Sequence, residues 1–186
     1  MSTWDAQTAE WYAHNYGDYP TNRLAVEALD LAVDATIVDV GCGTGSALRH
    51  AAAKVTQGTL IGVDPVPRMI EIAREQTATD LAADRIVFQQ GTAETLPVGD
   101  TVADVVLAFD SFDHWTDPQL GLAEVRRVLR SDGYLVIVKD GGLPGVTKAR
   151  QAFRKALAEA GFTITSERTV AAAGVSFTMW QCAVTG

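Results

Sequence analysis

Cysteine is scarce in this chain: Cys42 and Cys182 are the only two, far apart and in no Cys-x-x-Cys pair. They exclude a disulfide framework and a cysteine metal centre, and their number fits a reducing compartment. Basic residues are also few. Fifteen Lys and Arg stand against 23 Asp and Glu, for a formal net charge of −8, and the basic ones are scattered. A protein that grips a phosphate backbone shows a basic face, because counterion release supplies most of that affinity. None is visible, so no nucleic-acid partner is expected. The amino-terminal residues MSTWDAQTAEWY carry no basic segment followed by an apolar run, and so do not read as a signal peptide. The longest uncharged stretch, residues 169–186, is interrupted by Gly, Ser, Thr and Gln and makes a poor membrane span. A cytoplasmic protein without membrane contact is the expectation.

What is present is enough apolar sequence, 47% of 186 residues, to bury the core of one domain. Trp4, Trp11, Tyr12, Tyr16 and Tyr19 crowd the first nineteen residues, as in a helical segment that covers something. Residues 22–31 follow as a second short helix, with Leu24, Ala25, Ala28, Leu29 and Leu31 at helical spacing. Residues 1–31 thus read as an amino-terminal helical lid segment, and 32–186 as the main body of one compact domain. Strands are expected at 36–40, 59–63, 86–89, 102–109 and 134–138, alternating with helical stripes such as Ala47, Leu48, Ala51, Ala52 and Val55. Asp117-Pro118 marks a helix start and Asp132-Gly133 a turn. Such βα repetition predicts a doubly wound, mostly parallel α/β sheet. The end differs. A helix from about 146 to 160 is followed by strands at 162–168 and 176–184 with no helix between them. So short a connection, residues 170–174, makes an antiparallel hairpin and brings the sheet to seven strands.

The first strand runs into Gly41-Cys42-Gly43-Thr44-Gly45, and in an open α/β sheet such a loop lies in the crevice where ligands bind. Glycine permits close backbone approach and positive φ, and the following helix end favours an anionic ligand group. Asp64, at the end of the second strand, can accept both hydroxyls of a ribose. This pairing alone serves NAD and S-adenosylmethionine equally. The NAD fingerprint places Gly or Ala at 46, where the chain has Ser46.

Further motifs, in order, carry a resemblance. Val38-Asp-Val-Gly-Cys-Gly-Thr-Gly45 resembles the first motif of class I S-adenosylmethionine-dependent methyltransferases, and Gly62-Val-Asp64 the second. Gly91-Thr-Ala-Glu-Thr-Leu-Pro97 is similar to their adenine-contacting loop. Residues 104–109 with His114-Trp-Thr-Asp-Pro118, then 124–138, resemble the fourth-strand motif and the helix, turn and fifth strand after it. The resemblance covers Val38 to Val138, and the hairpin agrees with the family topology. It implies that Gly41, Cys42 and Gly43 pass beneath the methionine part of S-adenosylmethionine and that Asp39 helps hold its amino group. Asp64 would bind the ribose, Pro65 and Met69 pack on adenine, Ala93 offer its N–H to the base, and Phe109 lend a carbonyl near the cofactor amine. Family members often carry an acid where this chain has Thr92; either Glu94 takes that place or the base is held more weakly.

The resemblance implies methyl transfer, with S-adenosylhomocysteine as product, by aligning an acceptor with the sulfonium in a dry site. A hydroxyl or protonated amine also needs a base, and the loop after the fourth strand supplies His114, the first choice, with Asp110 and Asp113. Each has an ordinary role as a loop residue beside that one. Phe109-Asp-Ser-Phe112 is not the Pro-Pro-aromatic loop of enzymes that methylate amide nitrogens. No metal is expected: Asp110 and Asp140 could serve a catechol-type site, but Lys139-Asp-Gly141 does not match that family's pair. Only residues 141–145 separate the fifth strand from the next helix, leaving no room for an inserted cap. The lid must then come from the amino-terminal helix, the 111–115 loop and the 170–174 segment, which makes Tyr12, Tyr16, Phe112 and Trp115 candidates to line the substrate. The expected acceptor is a small organic molecule, through oxygen or nitrogen, and the chain a monomer or homodimer. RNA or protein methylation, a catalytically inactive cofactor-binding domain and an NAD-dependent oxidoreductase are the alternatives; Ser46 and the hairpin oppose the last.

Overall fold

The structure is a computed structural model and describes residues 4–143 and 147–185. Its elements in chain order are α1 (Ala6–Tyr16), α2 (Pro20–Glu27), β1 (Ile37–Val40), α3 (Ser46–Ala52), β2 (Leu60–Asp64), α4 (Pro67–Thr77) and β3 (Ile86–Gln90). These are followed by β4 (Ala103–Phe109), α5 (Pro118–Val128), β5 (Leu129–Asp140), α6 (Lys148–Glu159), β6 (Phe162–Ala172) and β7 (Val175–Val184). The seven strands form one sheet in the order β3-β2-β1-β4-β5-β7-β6. Strands β1 to β5 are parallel, and β7 runs antiparallel to both β5 and β6. The doubly wound α/β sheet with a terminal hairpin is therefore present.

Strand residues alternate between two apolar layers, as the two-residue period of a strand requires. Ile37, Val105, Leu107, Val136 and Val138 face α2, α3 and α4, where Ala25, Val26, Leu48, Ala51 and Ile70 meet them. Val38, Val106, Leu135 and Ile137 face Leu122 and Val125 of α5 and Phe153 and Leu157 of α6. Ala25 and Val26 are fully buried, so α2 belongs to the core layer. A third, small cluster of Ala9, Met69 and Ile72 seats α1 on α4.

Local signals act where expected. The Asp117 carboxylate caps α5, accepting from the N–H groups of Gln119 at 2.9 Å and Leu120 at 3.1 Å, and Pro118 opens the helix. The Asp132-Gly133 turn is not a strand boundary. β5 starts at Leu129, straight after α5, and absorbs those residues as a register shift opposite Ala103 and Val105. The Arg130 guanidinium donates to the Asp104 carboxylate at 2.6 Å across that irregularity. The expected start of α6 near Val146 lies outside the described residues.

The hairpin is tighter than its sequence implies. Val170 pairs with Phe177 and Ala172 with Val175, so only Ala173 and Gly174 form the turn. The 170–174 segment is thus strand and a two-residue turn, not a loop. Both turn residues lie at positive φ, 50° and 78°, the requirement of a type I′ turn. Alanine is strained there, at about 1 kcal/mol, whereas asparagine tolerates the left-handed region. Ala173→Asn is expected to raise the thermal midpoint by roughly 2–4 °C, read by circular dichroism melting.

Candidate functional site

The carboxyl ends of β1 and β4 meet where the strand order reverses, and the glycine loop folds over that point. Gly41 N and Cys42 N both donate to the Val63 carbonyl, at 2.8 and 3.0 Å, tying the loop to β2. Gly43 N donates to Asp64 Oδ2 at 3.0 Å, and Val66 N to Asp64 Oδ1 at 2.9 Å. Gly41, Gly43 and Gly45 all have positive φ. At Gly41 and Gly45 a Cβ would strike Ser111 and Phe88, but at Gly43 nothing lies within 4 Å. Gly43 therefore presents bare backbone to open space, as a ligand cradle does.

A cavity of about 170 Å³ opens beside this loop. Asp39, Gly41, Cys42, Gly43 and Thr44 line its floor, Phe109, Asp110 and Asp140 one wall, and Tyr12, Tyr16, Tyr19 and Asn22 the other side. Asp39 is 2% exposed, and its Oδ1 has no hydrogen-bond partner. Burial, together with the negative charge of Asp64, pushes its carboxyl up to about 7. Burial also raises Asp64 above the ordinary carboxylate range, against the pull of the Val66 and Gly43 N–H groups. Burial raises Cys42 well above a normal thiol, which makes it a poor nucleophile. A buried carboxylate with an orphaned oxygen beside a glycine cradle is what a cationic amino group of a ligand would complete.

The amino-terminal segment is fastened to the loop. Thr44 Oγ1 donates to the Gly17 carbonyl at 2.7 Å, and Arg68 of α4 pairs with Glu10 of α1 at 2.6 Å. The tyrosine rings follow one another, with Tyr12 to Tyr16 at 5.4 Å and Tyr16 to Tyr19 at 5.9 Å. Tyr12 and Tyr16 thus line the cavity. Phe112 lies beside it, in a slot of about 20 Å³ with Phe153 and Trp180. Trp115 packs on Phe112 at 4.8 Å and against Gly121.

The acids of the fourth-strand loop separate. Asp110 borders both cavities; its backbone has φ 51°, its N–H donates to the Val138 carbonyl, and its Oδ1 accepts from Asp140 N at 2.6 Å. Burial, with the charge of Asp140, pushes its carboxyl above the ordinary range, against the Asp140 N–H and Lys139. Asp113 is exposed and ion-paired with Lys139. His114 is exposed and lines neither cavity.

On the adenine side, Pro65 is exposed, Ala93 is buried near Trp115 and Gly121, and Met69 lies at 2% exposure under α1. Thr92 is exposed, and Glu94 Oε1 accepts from Asp117 N at 3.0 Å. Although burial opposes it, such backbone bonding lowers the Glu94 carboxyl. One oxygen of that carboxylate is thus engaged at the start of α5. Sequence reasoning missed Tyr19, Asn22, Thr44, Ala47 and Asp140 as lining, and Ser111, whose Oγ donates to the Val40 carbonyl at 2.5 Å. Thr44 had a signal in its place inside the Gly-x-Gly-x-Gly run, Tyr19 in the aromatic crowding and Asp140 in its pairing with Asp110.

This fold sets an open crevice at the switch point of the sheet, where α/β proteins bind their ligands. A methyltransferase-domain family model matches residues 38–137, more than half of the chain, and the chain belongs to that family. It is 32% identical over 134 residues to an O-methyltransferase of Penicillium expansum, covering 72% of this chain and 48% of that protein. It is also 32% identical over 118 residues to a ubiquinone/menaquinone biosynthesis C-methyltransferase of Citrifermentans bemidjiense, covering 63% and 50%. The chain spans about half the length of these relatives. A SAM-dependent methyltransferase from Aquifex aeolicus has the same fold, with a TM-score of 0.77 at 19% identity over 98% of this chain and 100% of that one.

Asp39 sets a pH dependence. Its carboxyl titrates near 7 in the folded protein against 3.8 in a free side chain, so the folded state binds the extra proton between those values. Stability from this group is full below about pH 4 and falls as pH rises to 7, by a few kcal/mol at most. Asp39→Asn should flatten that slope and make the ligand-free protein more stable than wild type at pH 8. Urea denaturation of both at pH 5 and pH 8 checks this.

Proposed function

We propose that this protein transfers a methyl group from S-adenosylmethionine to a small organic acceptor held between the glycine loop and the tyrosines of the amino-terminal segment. The observation that carries the reading is Asp39 Oδ1, buried without a partner on the floor of the cavity beside the bare Gly43 backbone. When bound, the cofactor supplies an electrophilic sulfonium methyl, so the protein must chiefly position and desolvate the acceptor. Gly41–Gly43 would bear the methionine portion, Asp39 its amino group, and Asp64 the ribose through the lone pairs left by its two N–H donors.

Residues 4–19 act as the roof, with Tyr12, Tyr16 and Tyr19 over the cavity and Thr44–Gly17 as its fastening. For an acceptor that must lose a proton, Asp110 is the base. It borders the cavity and its proton affinity is raised, whereas His114 stands outside. Phe112 shapes the adjoining slot. The acidic balance and scattered basic residues favour a small molecule over RNA or an acidic peptide. Among the described residues no helix is long and apolar enough to cross a membrane.

Calorimetric titration with S-adenosylmethionine, S-adenosylhomocysteine and NAD tests the assignment. Both sulfur compounds are expected to bind and NAD to fail. Asp64→Ala and Asp39→Ala should each weaken the sulfur compounds by at least about tenfold, the loss of one charge-assisted contact. Binding of NAD alone, or no binding of any of the three, would overturn the proposal.

A further inference from the structure

The wall of the same cavity narrows the class of acceptor, on the premise of methyl transfer. Asp39 on the floor answers the cofactor's amino group. Beyond it Asp110 and Asp140 stand at the ends of the adjacent strands β4 and β5, joined by the Asp140 N–H bond to Asp110 Oδ1. Opposite are the rings of Tyr12, Tyr16 and Tyr19. Among the described residues no Lys, Arg or His lines this cavity. The adjacent cation, Lys139, is paired with Asp113 and borders the slot behind. Tyr12 is close enough to Asp110 and Asp64 to feel both charges, so rings and carboxylates share one space.

Two carboxylates and three aromatic faces, with the nearby Lys139 engaged by Asp113, form a seat for a cation. We infer that the acceptor is an amine that enters as its ammonium form and sits between the Asp110–Asp140 carboxylates and the Tyr12, Tyr16 and Tyr19 rings. A carboxylate- or phosphate-bearing acceptor would meet this wall as repulsion, and a neutral alcohol would leave it unpaired.

The chemistry balances with groups in place. The ammonium gives one proton to the Asp110 carboxylate, which frees the nitrogen lone pair. The nitrogen–methyl bond forms as the methyl–sulfur bond breaks, and the electron pair of that bond stays on sulfur. Positive charge thus moves from sulfur to nitrogen, in front of Asp140 and the tyrosine faces, where a fixed negative field favours it.

Three probes of one shape and different charge separate the outcomes: benzylamine, benzyl alcohol and benzoate, titrated into protein saturated with S-adenosylhomocysteine. Benzylamine is expected to bind at least about tenfold more tightly than the others. Mass spectrometry with S-adenosylmethionine should show N-methylbenzylamine. Asp140 is exposed, so Asp140→Asn should fold normally, keep its S-adenosylhomocysteine affinity and weaken benzylamine about tenfold. Benzyl alcohol or benzoate binding as well as the amine, no binding of any probe, or an unchanged amine affinity in Asp140→Asn would each overturn the inference. Failure of S-adenosylhomocysteine itself to bind would instead remove the methyl-transfer reading, and this inference with it.

Discussion

Asp39 and Asp64 occupy the carboxyl ends of neighbouring parallel strands, both buried, with no cation between them among the described residues. Two like charges in a low-dielectric place destabilise one another, and only hydrogen bonds or a proton relieve that. The structure supplies both remedies, unequally. Asp64 receives two backbone N–H groups, whereas Asp39 keeps one oxygen unpaired and is left to the proton. The glycine loop exists in its present shape because Gly43 N must reach over to Asp64 while Gly41 N and Cys42 N share the Val63 carbonyl. No residue with a Cβ could make that path at Gly41 without displacing Ser111, nor at Gly45 without displacing Phe88. Local stability is given up around a site that a ligand would complete.

The loop in turn organises the roof. Its side chain at Thr44 holds Gly17 through a buried hydrogen bond, and this fixes the chain between α1 and α2 over the cavity. The ion pair of Arg68 with Glu10 lies at the surface and adds little, because solvent screens it. The apolar seat of Ala9 on Met69 and Ile72 contributes more, since it removes area from water. That seat is where Met69 is covered by α1.

The order of strands was legible because each buried parallel strand is a continuous apolar run and each helix an apolar stripe. The matched family span, 38–137, coincides with the ordered motifs for the same reason. Boundaries slipped where tertiary pairing overruled local chemistry. Asp132-Gly133 has the composition of a turn, yet pairing with β4 holds it inside β5. Residues 170–174 look like a loop of small residues, but strand pairing leaves only Ala173 and Gly174 to turn. In the site, Asp39, Gly41–Gly43, Phe109, Asp110, Tyr12 and Tyr16 were readable from motif position or aromatic crowding. Asp140 was placed beside Asp110 only as a metal-site alternative, and Asn22 was not readable, because its contribution depends on where a helix meets the strand ends, which no spacing encodes.

The contrast between His114 and Asp110 shows what sequence chemistry leaves undetermined. An imidazole titrates nearest neutrality, which favours His114 when only residue type is known. Geometry reverses the order. The turn after β4 sends His114 to solvent, while left-handed backbone at Asp110 sets its N–H on Val138 and its carboxylate on Asp140 N. A carboxylate held by the Asp140 N–H loses little freedom on accepting a proton, and burial raises its proton affinity above that of an ordinary carboxylate. The same fixation joins β4 to β5 at the edge of the cavity, so the proposed proton acceptor and the proposed cation wall are one construction.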